Sequence, residues 1–265
     1  MPAKPMTGLS DEQLDLLIDR TTALQDAWQQ PRGRRRALGF AVAVTMTLVA
    51  LRHNLSQALL GALYGVSQPT VSRVVAALRE PVGRAAAVAM PGVAPVGQAG
   101  RAERLLVDGT LCPTGNRPGE GRCGEGLYSG KRHRAGMNTL VISDRWGRLM
   151  DASDPTQGAM HDARSLTEAG VDRLLAGHVV LGDLGFLGCG VTTPLRKPPG
   201  GVLWVFEKVN NRAHHQARAP IERTIALLKQ WRVLSGGYRG PLSRFPVTLR
   251  TVVALEKFRI YENPL

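Results

Sequence analysis

Two short aliphatic runs, far apart in the chain, end the same way. Leu105-Leu106-Val107 leads into Asp108-Gly109, and Val179-Val180-Leu181 leads through Gly182 into Asp183-Leu184-Gly185. A continuous apolar run of this length, closed by a turn residue, reads as a strand buried on both faces. Such strands belong to a sheet covered by helices, so the chain is expected to be α/β. A carboxylate at the end of a buried strand projects from a rigid sheet edge, where α/β sites form. Taken singly, each aspartate also reads as an ordinary turn residue.

Other segments fill in the sheet and its covering. Met137–Ser143 and Arg148–Ser153 flank Asp144-Arg145-Trp146-Gly147, the pattern of a hairpin. Leu203–Phe206 is expected as one more short strand. Helices are expected over Ala159–Leu166, Pro220–Trp231 and Pro246–Ile260.

The first ninety residues read as helices only. Ser10 is the expected N-cap of a helix with Leu14, Leu17, Ile18, Leu24 and Trp28 on its apolar stripe. Pro31–Arg36 is a basic break, and a second helix runs from Ala37 to about Arg52. Residues 55–78 have the pattern of a helix-turn-helix. Gly65 supplies the turn, Val66 plugs the core, Ser67 caps the second helix and Pro69 sits in its first turn, where the missing N–H costs little. Val71, Val74, Val75 and Leu78 then face inward. Gln68, Thr70, Ser72 and Arg73 face outward, a set suited to base edges and phosphates in a major groove. Ala, Gly, Val and Pro dominate from Pro81 to Arg101. The expected organisation is a helical DNA-binding domain over 1–90, a linker over 91–102 and an α/β domain over 103–265.

Charge narrows the partner. Thirty-four Lys and Arg stand against twenty-one Asp and Glu, a net charge of +13 in 265 residues. A folded chain this basic points to a polyanion, above all nucleic acid. The longest apolar run, Ala37–Leu51, is broken by Thr45 and Thr47 and falls short of the ~18–20 residues that span a bilayer. The chain start leads into a polar helix rather than an apolar signal core. Three cysteines, Cys112, Cys123 and Cys189, form no disulfide framework. A cytoplasmic protein without a membrane partner is expected.

Five blocks, in order, carry a resemblance: Val107-Asp-Gly-Thr110, Tyr128–Ser153, Gly158–Leu166, Gly182–Phe186 and Ile221–Leu234. With the preceding helix-turn-helix, they resemble the DDE superfamily of transposases, of the Harbinger-like endonuclease type with bacterial insertion-sequence relatives. The resemblance implies an RNase H-like catalytic domain with a mixed central sheet. It implies Asp108, Asp183 and Glu222 as a catalytic triad and as ligands of Mg²⁺ or Mn²⁺, in two ions. Hard carboxylate oxygens suit such ions, and a two-ion centre handles both the attacking and the leaving oxygen. His161 and Asp162 match an auxiliary His-Asp pair. Lys131, Arg132, His133, Arg134, Arg218, Arg223, Lys229 and Arg232 would offset the mutual repulsion of the acids and meet phosphates beside them. The implied substrates are double-stranded DNA at transposon ends and at the target, cut and joined by at least a dimer. Two other readings share the same residues: a sequence-specific DNA-binding regulator, and a domesticated copy that no longer cuts.

Overall fold

The structure, a computed structural model, describes residues 3–24, 36–87, 104–115 and 126–262. The chain divides into two compact units, residues 1–91 with 228–265, and residues 92–227.

The first unit is helical. It contains α1 (Ala3–Thr7), α2 (Asp11–Ala23), α3 (Phe40–His53), α4 (Gln57–Tyr64), α5 (Gln68–Ala87) and, from the end of the chain, α10 (Phe245–Tyr261). Ser10 caps α2 as expected: its side chain accepts from the Gln13 backbone N–H at 3.2 Å, and Gln13 Oε1 accepts from the Ser10 N–H at 3.1 Å. Leu17 and Thr21 are buried along α2, whereas Leu24, expected on the stripe, is exposed at the helix end. Trp28, Pro31 to Arg35 and the expected linker lie outside the described residues.

The helix-turn-helix is α4 and α5. Gly65 turns the chain in the left-handed region at φ 66°. Val71, Val74, Val75 and Leu78 are buried on α5. Gln68 and Arg73 are exposed, and Thr70 and Ser72 are half-buried. Pro81, read from sequence as the start of the helix end, lies inside α5, which continues to Ala87. Packing explains this: Val82, Ala85 and Ala86 are fully buried, and Thr251 Oγ1 of α10 donates to the Arg79 carbonyl at 3.1 Å. Tertiary burial there overrides the local cost of proline.

The second unit is a six-stranded mixed sheet with helices. Its strands are β1 (Arg104–Pro113), β2 (Tyr128–Ser129), β3 (Arg134–Asp144), β4 (Leu149–Ala152), β5 (Thr156–Gln157) and β6 (Val179–Leu181). The order is β2-β3-β1-β6, with β4 and β5 also paired to β3. β1 is antiparallel to β3 and parallel to β6. The expected hairpin is β3–β4, and Asp144 closes it by accepting backbone N–H bonds from Trp146 and Arg148, both at 2.9 Å. Between β5 and β6 run α6 (Asp162–Glu168) and α7 (Val171–Leu175). Leu105, Val107, Leu140 and Ile142 of the sheet bury against Leu166, Val171, Leu175 and Phe186. This is the mixed α/β layout that the resemblance implies.

After β6 come α8 (Val205–Arg218) and α9 (Pro220–Lys229). The strand expected over Leu203–Phe206 is not formed. Trp204 is instead the N-cap of α8, and its N–H donates to Glu207 Oε2 at 2.7 Å. A short apolar run does not distinguish strand from helix; a glutamate three residues on, satisfying the first free N–H, favours the helix.

Candidate active site

The parallel pairing of β1 and β6 sets Leu105 beside Val180 and Leu106 beside Leu181. Asp108 and Asp183 each lie two residues beyond that last pair. The two aspartates therefore stand in step on neighbouring chains, although 75 residues separate them in sequence.

Asp183 lies just beyond β6, but Asp108 lies inside β1: the strand does not end at Asp108-Gly109, as the sequence suggested, because its antiparallel ladder with β3 carries it on to Pro113. Asp108 Oδ1 accepts from the Gly109 N–H at 2.9 Å. Asp183 caps the short 3₁₀ turn Leu184–Phe186, its Oδ1 accepting from the Gly185 N–H at 2.8 Å. The other oxygen of Asp108, Oδ2, is 3.1 Å from Arg218 Nη1, with both side chains largely buried. Burial pushes the Asp108 carboxyl above its ordinary range. The Arg218 guanidinium pulls it back down, and the charge of Asp183 adds to the rise.

Arg218 arrives on α8, a helix the sequence reading did not anticipate. One turn earlier, His214 Nε2 is 2.9 Å from the carbonyl of Gly182, the residue before Asp183. His214 and Arg218 are thus i,i+4 neighbours on the α8 face that meets Asp108 of β1 and the residue before Asp183. That spacing is visible in the sequence only once a helix is assigned there.

Glu222 occupies the first turn of α9, where its backbone N–H donates to the Ala219 carbonyl at 3.2 Å. Its side chain is exposed. No three His, Cys, Asp or Glu among the described residues stand close enough to hold a metal ion together. Glu222 therefore does not complete a three-carboxylate group. Asp108 and Asp183 do fit a divalent ion as two of its ligands: they offer hard oxygen donors, and a cationic group is already held against Asp108 Oδ2.

A cavity of about 370 Å³ lies next to the Asp108 strand, lined by Gly109, Lys131, Arg132, Asn138, His161 and Asp162 among others. His161 is the N-cap of α6 and makes no side-chain capping bond. Asp162 Oδ1 accepts from Asn138 Nδ2 at 3.1 Å, and Asp162 Oδ2 is 3.6 Å from Lys131 Nζ. The expected auxiliary pair and two of the expected phosphate contacts thus share one cavity. Arg134 and Arg223 are exposed and Lys229 is half-buried. Asn138, buried on β3, was not singled out from sequence.

Comparison with known proteins covers both units. Residues 107–256 match the family described as DDE superfamily endonuclease, and residues 37–80 match its helix-turn-helix. A Streptomyces albus G protein that carries the name of a transposase for insertion sequence element IS112 is 26% identical over 87% of this chain and 84% of its own length. A Microchaete diplosiphon protein named for transposition of element IS702 is 26% identical over 97% of this chain and 94% of its own length. No solved structure matches significantly. With Asp108 and Asp183 inside the matched region and a helix-turn-helix before it, the chain belongs to the DDE superfamily of endonucleases.

Proposed function

We propose that the chain is a transposase that binds the terminal inverted repeats of a mobile element and catalyses metal-dependent hydrolysis and strand transfer. The observation that carries the reading is the in-step placement of Asp108 in β1 and Asp183 two residues past the end of its parallel neighbour β6. The names of the similar proteins support it.

In this reading Gln68, Thr70, Ser72 and Arg73 of α5 meet the DNA major groove. Lys131, Arg132, Arg134, Arg223 and Lys229 hold backbone phosphates, a sequence-independent attraction that the +13 net charge reinforces. Asp108 and Asp183 hold Mg²⁺ or Mn²⁺, in two ions, with Glu222 as the third carboxylate, brought in when DNA is bound. The metal, when bound, supplies Lewis acidity and an activated water. No side chain becomes the nucleophile. Water attacks the phosphodiester at the element's end, leaving a 3′-hydroxyl and a 5′-phosphate. That hydroxyl then attacks a phosphodiester of the target, joining the strands and releasing a 3′-hydroxyl there. His161 and Asp162 act beside this centre by shaping the cavity around Lys131. Two ends must be held at once, so at least a dimer works. Trp204, Val205, Phe206 and Val209 are exposed on α8 and offer an apolar surface for a second copy. The compartment is the cytoplasm; no helix among the described residues is long and apolar enough to cross a membrane.

The test is nicking of a duplex carrying the terminal repeats, with Mg²⁺ or Mn²⁺, by wild type beside Asp183→Asn. Nicking lost in the variant, with binding kept, supports the reading; equal nicking by both overturns it. A pre-cut end then reports joining. The exposed position of Glu222 favours one other reading, a DNA-binding copy without cleavage. Tight, metal-independent binding with no nicking by wild type would select it.

A further inference from the structure

Arg218 is placed as a cation would be. Its Nη1 lies 3.1 Å from Asp108 Oδ2, with 13% of the arginine side chain and 19% of the aspartate side chain exposed. The other Asp108 oxygen is taken by the Gly109 N–H. The contact from His214 to the Gly182 carbonyl fixes the same helix face at the second strand end. An arginine cannot give up its proton, so in this setting it remains a full positive charge. Two aspartates in step on adjoining segments repel each other and call for such a charge.

We propose that Arg218 is the internal counter-ion of the metal-free centre: it occupies Asp108 until a divalent cation displaces it, and so sets the metal concentration at which the site loads. This rests on the reading of Asp108 and Asp183 as metal ligands. Arg218 is then a positioning residue that acts through Asp108. Its place at a helix end suits such a displacement. Arg218 is the last residue of α8, and Pro220, the first of α9, removes one N–H from the backbone ladder at that point. The side chain can move away without unwinding a continuous helix.

An ordinary structural ion pair and a displaceable counter-ion differ in sign. Removing a structural partner weakens a site; removing a competitor of the metal strengthens it. The experiment is a Mn²⁺ titration of the full-length, DNA-free chain, followed by the electron paramagnetic resonance signal of free Mn²⁺. Arg218→Gln should bind Mn²⁺ at least about tenfold more tightly than wild type, Arg218→Lys should lie between them, and Asp183→Asn should bind more weakly. Equal or weaker binding by a folded Arg218→Gln overturns the proposal. If Asp183→Asn and Asp108→Asn also bind as wild type does, the acid-centre reading itself has failed. A second readout needs no loss of the arginine charge. In wild type, Mg²⁺ should shift the Arg218 Nε–H resonance, identified by its disappearance in Arg218→Lys, and should leave it unmoved in Asp183→Asn. A resonance that Mg²⁺ does not move in wild type also overturns the proposal.

Discussion

Gly109 is a glycine because of Asp162. A side-chain carbon built on Gly109 would overlap the Asp162 carboxylate, and one built on Gly185 would reach 3.3 Å from Asp162 Oδ2 and 2.8 Å from Asp183 Oδ1. Gly109 and Gly185, which follow Asp108 and Asp183, both lie against the same third carboxylate. Gly109→Ala should therefore destabilise the sheet unit by about 1–3 kcal/mol, because Asp162 is held by Asn138 and cannot swing freely. The double variant Gly109→Ala with Asp162→Ala should recover much of that loss. Urea denaturation of the four species measures it, and a double variant no better than Gly109→Ala would show that the clash lies elsewhere.

Asp108→Asn and Asp183→Asn should each lower metal-dependent nicking by more than about a hundredfold, since ligands matter more than the outer partners whose loss costs 10–100-fold. Affinity for the terminal-repeat duplex, followed by fluorescence anisotropy, should change little. A parallel loss of binding would mean that the aspartates serve the fold.

In the helix-turn-helix, a side-chain carbon on Gly61 would sit 2.6 Å from the Val66 backbone carbonyl oxygen. Backbone cannot yield as a side-chain tip can. Gly61→Ala should cost about 1–3 kcal/mol in the helical unit and weaken DNA binding, while nicking of a high-concentration substrate falls less. Thermal unfolding beside anisotropy separates the two effects.

Glu256 is 1% exposed on α10. Its Oε2 accepts from Trp231 Nε1 at 3.0 Å and Arg259 Nε at 3.1 Å, and Arg259 Nη2 donates to its Oε1 at 2.5 Å. Glu256→Ala leaves the half-buried arginine charge unpaired and should cost about 3–5 kcal/mol. Unfolding at neutral pH reads the loss directly.

Burial holds the Tyr64 phenol above its ordinary range, and its hydroxyl has no hydrogen-bond partner among the described residues. The unfolded chain ionises this group near pH ~10. Its favourable contribution is therefore complete below that value and fades as pH rises through the higher folded value. Tyr64→Phe should be neutral or stabilising by up to about 1 kcal/mol at pH 7, and should hold its stability better than wild type above pH 10. A variant that loses stability at pH 7 would show that the hydroxyl has a partner.

The two aspartates, the hairpin and the helix-turn-helix were legible because each rests on local rules. These are an apolar run leading into Asp and Gly, a turn held by Asp144, and the Gly65 turn followed by buried valines at helical spacing. The run of β1 past Asp108 to Pro113 was not legible, because it rests on pairing with β3. What remained hidden rests on packing or on long-range pairing. Pro81 continues α5 because Leu78 before it and Val82, Ala85 and Ala86 after it are buried. The stretch from Trp204 to Arg218 carries exposed apolar residues at its start, so its hydrophobicity suggested a strand where a Glu207 cap makes a helix. Missing that helix hid His214, and left Arg218 as one of several basic residues around the acids rather than the direct partner of Asp108. Asn138 could not be found from the sequence, since its importance comes from lying opposite Leu111 in the β1–β3 register, within reach of Asp162.

The pairing of β1 with β6 has a consequence for how such a chain can change over time. Seventy-five residues separate Asp108 from Asp183, and their meeting depends on none of that length, only on Leu106 lying against Leu181. The short link from α7 to β6 can lengthen while the two acids stay side by side. A slip of β6 by a single position would part them without removing either. In this chain, ladder alignment sets the meeting of the acids and the length of that link does not.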